Sequence, residues 1–128
     1  AMPYALSAGT GIMINADNIM LFGGDNGTTF HKVETLIAAI NIEQDETKKQ
    51  DLILQKNKLQ SEHPGFSKEV LLYNIQNDKW EIIGNIPFDT PVTTSAVTWK
   101  SRIIIPSGEI RAGVRSPKIL EVKIKKGK

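Results

Sequence analysis

With 128 residues, 40% of them apolar and 23% charged, the chain has the composition of a folded domain large enough for a real core. A net charge of +2 does not point to nucleic acid or an anionic membrane as a partner, and the lack of cysteine excludes disulfides and thiolate chemistry. No apolar run approaches the length of a membrane-spanning helix, and Ala1-Met2-Pro3 has neither the basic start nor the apolar stretch of a signal peptide.

In chain order, the first predicted elements are two short strands, at about 9–15 and 18–24. They are joined by the turn Asn15-Ala16-Asp17-Asn18 and end on Gly23-Gly24. Residues 25–66 then interrupt the strand pattern. Val33, Leu36, Ile37 and Ile40 recur at helical spacing behind Thr29, read as an N-cap. A second helix is expected from Asp45 or Glu46 to about Leu59, stopped by Pro64-Gly65. Strands resume at about 69–75 and 79–84 around the turn Asn77-Asp78, and Pro87 follows. A second set is expected at about 92–99, 102–107 and 118–125. Its last member alternates Leu120, Val122 and Ile124 against Glu121, Lys123 and Lys125.

The two sets are one repeat, divided by the helical stretch. Gly9 to Asp25 aligns without a gap on Thr93 to Glu109, so that Ile19, Met20 and Leu21 fall on Ile103, Ile104 and Ile105, and Gly24 falls on Gly108. Pro3 and Tyr4 fall on Pro87 and Phe88 at the same offset of 84. A second alignment, at offset 49, lays Ser67 to Tyr73 over Ser116 to Val122. Four short antiparallel strands per unit is the pattern of a propeller blade. The glycine pair Gly23-Gly24, Tyr73 and Trp80 at a spacing of seven, and Pro87 before the next unit together resemble the kelch family. Glycines suit a strand end that meets neighbouring backbone with no room for a Cβ, and Tyr73 and Trp80 are expected to fill the gap between blades.

The expected fold class is therefore all-β: a kelch-type β-propeller fragment with one four-stranded blade, a three-stranded partial blade and a helical insertion. The first blade takes residues 1–91 with the insertion at about 27–64. The partial blade takes 92–128 and stops before its fourth strand. Two blades cannot close a ring, so a homo-oligomer or exchanged strands are expected; three chains forming a six-bladed ring is the tidiest version. No nucleic-acid or membrane partner is expected. The loops between second and third strands, Asp25 to Phe66 and Glu109 to Pro117, should emerge on one face. There the insertion either walls a binding site or only decorates its own blade.

His31 and His63 have no ligand-like neighbour at metal spacing, and no Ser/His/Asp set, phosphate loop or dinucleotide fingerprint is present. The informative stretch is Gly108-Glu109-Ile110-Arg111-Ala112-Gly113-Val114-Arg115. It places an acid at a strand end and a guanidinium six residues on, in the expected loop. The spacing alone favours a Glu–Arg salt bridge holding the loop in shape.

Gly-Glu-x-x-x-Gly-x-Arg in such a blade resembles the bacterial N-acetylneuraminate epimerases, or sialic acid mutarotases. These are six-bladed kelch propellers that include a cyclically permuted subgroup. The resemblance implies interconversion of the α and β anomers of sialic acid by ring opening and closing. Glu109 would be the catalytic acid/base, Arg115 the group gripping the sugar carboxylate, and Arg111 a second contact whose bland reading is a solvated loop residue. No cofactor or metal is implied, and a periplasmic location comes from the resemblance alone. Pro106-Ser107-Gly108 departs from the two glycines usual in the family. The alternative function is a non-catalytic kelch module binding a protein or glycan through the insertion.

Overall fold

The computed structural model describes residues 1–111 and 113–124. The chain divides into a β unit, Ala1–Asn26 with Gly65–Lys128, and a helical unit, Gly27–Pro64. In the β unit, β1 (Thr10–Met13), β2 (Asn18–Phe22), β3 (Glu69–Asn74) and β4 (Lys79–Asn85) form one antiparallel sheet in sequence order. β5 (Val97–Trp99), β6 (Arg102–Arg111) and β7 (Val114–Val122) form the second. Lys125, expected in the last strand, lies outside the described residues.

The central strands show why the two sheets stack. A strand buried on one face alternates; one covered on both faces reads as a continuous apolar run, as Ile19 to Phe22 and Ile103 to Ile105 do. Met20 and Phe22 from β2 meet Ile103 and Ile105 from β6 in one buried cluster with Ile86. In the repeat register, Ile103 and Ile105 match Ile19 and Leu21, not Met20 and Phe22. Opposite faces of equivalent strands thus meet, as they must when like sheets are stacked front to back. Ile12, Ile14, Val70, Ala96, Leu120 and Val122 pack around the cluster. Thr10 is buried in the same seam, where its Oγ1 accepts from Ala96 N at 2.8 Å and ties β1 to the second sheet.

Tyr73 and Trp80 are cross-strand partners, stacked with ring centroids 4.7 Å apart. They share the face of Ile19, so they cover the side of the first sheet turned away from the second. The gap between blades that they are expected to fill is therefore not the one between these two sheets. The Tyr73 hydroxyl donates to Asp78 Oδ1 at 2.7 Å, which is the first cause of its raised pKa.

Each sheet receives a lead-in segment that bridges the end of its second strand. Ser7 and Asp25 exchange two backbone hydrogen bonds of 2.9 Å, and Val92 and Glu109 exchange bonds of 2.8 and 3.0 Å. The glycine before each acid makes this approach possible. A Cβ on Gly24 would lie 3.0 Å from Leu6 Cβ, and one on Gly108 would lie 2.7 Å from Pro91 Cβ and 2.8 Å from Val92 O. Ser107 stands where the first sheet has Gly23 and takes the same left-handed backbone, with φ 45° against 69°.

Two expectations about connections are overturned. Glu109 to Pro117 is not a loop: β6 runs on to Arg111 and β7 starts at Val114, leaving only residues 112 and 113 between them. Bulges between Pro106 and Gly108, and between Glu109 and Arg111, absorb the irregular sequence and let the pairing continue. The strand expected from residue 92 is only Val97–Trp99, because the chain before it serves as lead-in. In the helical unit, α1 (Thr28–Ile42) packs against α2 (Glu46–Ser61). Thr29 does not cap α1: the chain enters it through Gly27 at φ 83°, and the helix has already begun at Thr28. Asp45 caps α2, its Oδ1 accepting from Lys48 N at 3.1 Å.

If the glycine at the strand end is a steric requirement, Gly108→Ala will cost about 2 kcal/mol or more. Ser107→Gly, which relieves a left-handed L-residue, will stabilise by about 1 kcal/mol. Urea denaturation midpoints of the two variants should move in opposite directions.

Candidate functional site

Extending β6 and β7 into one hairpin changes the meaning of the acid and the guanidinium. Arg115 is on a strand, not in a loop, and is the direct cross-strand partner of Glu109. Cross-strand partners project from the same face with Cβ atoms about 5 Å apart. The sequence motif therefore places the two side chains next to each other on a rigid element.

Each is held by something other than its neighbour. Glu109 is half-buried, and its Oε1 accepts a hydrogen bond of 2.6 Å from Gly113 N, so the carboxylate clasps the turn of its own hairpin. Gly113 has φ 74°, a conformation that glycine adopts without strain. Arg115 is exposed, and its Nη1 donates to Thr93 Oγ1 at 3.5 Å, a long contact. The ion pairs of this sheet, Arg102 with Glu121 at 3.2 Å and Lys123 with Glu121 at 3.9 Å, leave Glu109 and Arg115 aside. The salt-bridge reading of the motif is replaced by a carboxylate bound to backbone beside an exposed guanidinium. Arg111 ends β6 opposite Val114 and is exposed; no hydrogen bond brings it to Glu109 or Arg115.

Thr93 is the residue that sequence reasoning missed. It follows Val92, which bridges Glu109, and its own hydroxyl donates to Val92 O at 2.7 Å while accepting from Arg115. Its φ of 54° is rare for a β-branched residue. Thr93 N donates to Ala8 O at 3.3 Å, and Ala8, at φ 61°, occupies the equivalent place after Ser7 in the other lead-in. Neither residue is Gly or Asn, so nothing in the composition announced the left-handed turn. Two strained lead-ins thus meet at Thr93, and the second of them touches both Glu109, through Val92, and Arg115.

Among the described residues no group of three or more His, Cys, Asp or Glu could hold a metal ion. No helix in the described residues is long and apolar enough to cross a membrane.

Stacked antiparallel sheets of short strands, each bridged at its second strand by a lead-in, define a kelch-type β-propeller, of which these residues form two blades. The family model for N-acetylneuraminate epimerase matches residues 1–128, and the chain belongs to that family. It is 27% identical to the N-acetylneuraminate epimerase of Salmonella typhi over 114 residues, covering 89% of this chain and 29% of that protein. It is likewise 27% identical to the enzyme of that name from Brucella melitensis biotype 1 over 126 residues, 98% of this chain and 32% of the relative. The chain thus spans less than a third of the length of these curated relatives. The solved structure of YjhT matches with a TM-score of 0.72 at 18% identity, over 94% of this chain and 34% of that one.

The clasp between Glu109 and Gly113 can be measured directly. Glu109→Ala will speed amide hydrogen exchange at Gly113 by about tenfold, the worth of one charge-assisted hydrogen bond at a partly exposed site. Glu109→Gln, which keeps an acceptor oxygen, will retain most of the protection.

Proposed function

We propose that the protein containing these two blades interconverts the anomers of N-acetylneuraminate, with Glu109 as acid/base and Arg115 as the carboxylate grip. The observation that carries the reading is the pairing of Glu109 with Arg115 across one hairpin, with no ion pair between them. A sugar acid whose anomeric carbon bears both a carboxylate and a hydroxyl presents two adjacent groups, and this pair matches them. The guanidinium takes the carboxylate through two parallel hydrogen bonds. The Glu109 oxygen not engaged by Gly113 takes the hydroxyl proton.

The reaction needs little more. Glu109 accepts the proton of the anomeric hydroxyl, the bond from the anomeric carbon to the ring oxygen breaks, and the hydroxyl oxygen becomes a carbonyl. Glu109 then returns the proton to the former ring oxygen. Rotation about the adjacent carbon–carbon bond presents the other face, and the same steps in reverse close the ring as the opposite anomer. Atoms and charge balance without a further reactant. Holding one carboxylate oxygen on a backbone N–H fixes the position of the other, which is where general acid–base catalysis is gained.

NMR of freshly dissolved single-anomer N-acetylneuraminate tests this with the complete protein. Anomer exchange will accelerate. Glu109→Ala will remove about a hundredfold or more of the acceleration. Arg115→Ala will act mainly by raising KM, about tenfold or more. No acceleration by the intact protein would assign the blades to a non-catalytic module binding a protein or glycan.

We also infer that the 128-residue chain on its own associates with copies of itself. β7 is an outer strand of its sheet, with Ile119 68% exposed and Val114 close to half exposed, and Ile82 and Ile83 are similarly open on β4. Light scattering should give a mass above that of one chain, and Ile119→Lys should lower it; a monomer at all concentrations would sink the inference.

A further inference from the structure

In the first sheet, the Tyr4 hydroxyl donates to Glu69 Oε1 at 3.0 Å, joining the lead-in to the start of β3. At the position of the second sheet equivalent to Glu69, 49 residues on, stands Lys118, which reverses the charge. Lys118 lines an open cleft of about 340 Å³, together with Phe88, Asp89, Lys68, Ile110 and Ser116.

The cleft is separate from the acid–guanidinium pair. Ile110 follows Glu109 on β6, and Ser116 follows Arg115 on β7. Successive strand residues project from opposite faces, so Ser116 and Lys118 point away from the side that carries Arg115.

We propose that this cleft between the two blades binds an anionic sugar, one carboxylate-bearing pyranose, on the back of the hairpin that carries Glu109 and Arg115. Its volume is at the small end of the range of ligand pockets, enough for one ring. Lys68 and Lys118 supply two ammonium groups against the one carboxylate of Asp89 among the described lining residues. The Phe88 ring, 56% exposed, offers a flat apolar platform for the C–H face of a pyranose. Asp89 and Ser116 suit hydroxyl groups. Asp89 argues against a small inorganic anion, which it would repel at close range. A ligand with charge at one end and hydroxyls at the other uses all the groups present. The site does not depend on Glu109 acting as an acid/base.

The test is a titration of the 15N-labelled chain with the α-methyl glycoside of N-acetylneuraminate, whose locked anomer cannot undergo ring opening. Amide shifts at Phe88, Ile110, Ser116 and Lys118 should saturate with a Kd on the order of 1 mM, ordinary for a few polar contacts to a monosaccharide. The neutral methyl glycoside of N-acetylglucosamine should leave them unmoved. Lys118→Glu should weaken binding about tenfold or more, the scale of one lost charge-assisted contact. Arg115→Ala should leave it unchanged. Three results would overturn the proposal: no saturable shifts, an equal response to the neutral sugar or to inorganic sulfate, or binding lost in Arg115→Ala and kept in Lys118→Glu.

Discussion

The missing Cβ at Gly108 is the constraint on which the site depends. Because Gly108 has no side chain, the lead-in at Pro91 and Val92 comes close enough to exchange two backbone hydrogen bonds with Glu109. That bridge fixes Glu109 at its backbone and delivers Thr93 to the guanidinium of Arg115. A methyl group at residue 108 would push away the segment that positions both charged side chains. The glycine therefore contributes to chemistry without touching a ligand, by what it allows to pass.

The stacking of the sheets follows from a second requirement, that a repeated unit offer apolar surface on both faces. Met20 and Phe22 use one face of β2, while Ile103 and Ile105 use the opposite face of β6. Away from this seam Ile19, Leu21 and Ile104 are only half-covered, although Leu71, paired with Leu21, is fully buried. Burial on both sides stabilises an inner blade more than an outer one, since each apolar face gains only when another sheet covers it.

Much of this was legible in the sequence. The match of Gly9 to Asp25 with Thr93 to Glu109 identified the paired sheets, the glycines and the acid that follows them, but not without a gap: Ile12 stands opposite Met20 as Val97 stands opposite Ile104, so the first strands are offset by 85 and the second by 84. The reason is physical: equivalent strands in stacked sheets meet the same steric demands, so they keep the same pattern of apolar and small residues. The hairpin from Arg102 to Val122 was not legible, because Pro106-Ser107-Gly108 reads as a strand end and only bulges let pairing continue beyond it. Bulges depend on the partner strand, which no local pattern reveals. Thr93 was hidden for a similar reason, since its left-handed backbone is imposed by its bonds to Val92, Ala8 and Arg115 and not by its own preference. The start of α1 was misplaced because Gly27, which has no side chain to signal a cap, introduces it.

Comparing equivalent positions also explains how, among the described residues, Glu109 comes to have a guanidinium directly across the hairpin from it. Asp25 and Glu109 occupy the same place, each bridged to its lead-in. After Asp25 the chain departs into α1 and α2 before β3 begins at Glu69, and the pairing of β2 with β3 ends at Phe22 and Val70. After Glu109 the chain turns within a few residues and β7 comes straight back, placing Arg115 across from it. The acid comes with the repeat, whereas its partner comes with the short connection. An arginine inserted after Asp25 would not reproduce the pair, because the turn that Glu109 clasps through Gly113 has no counterpart there.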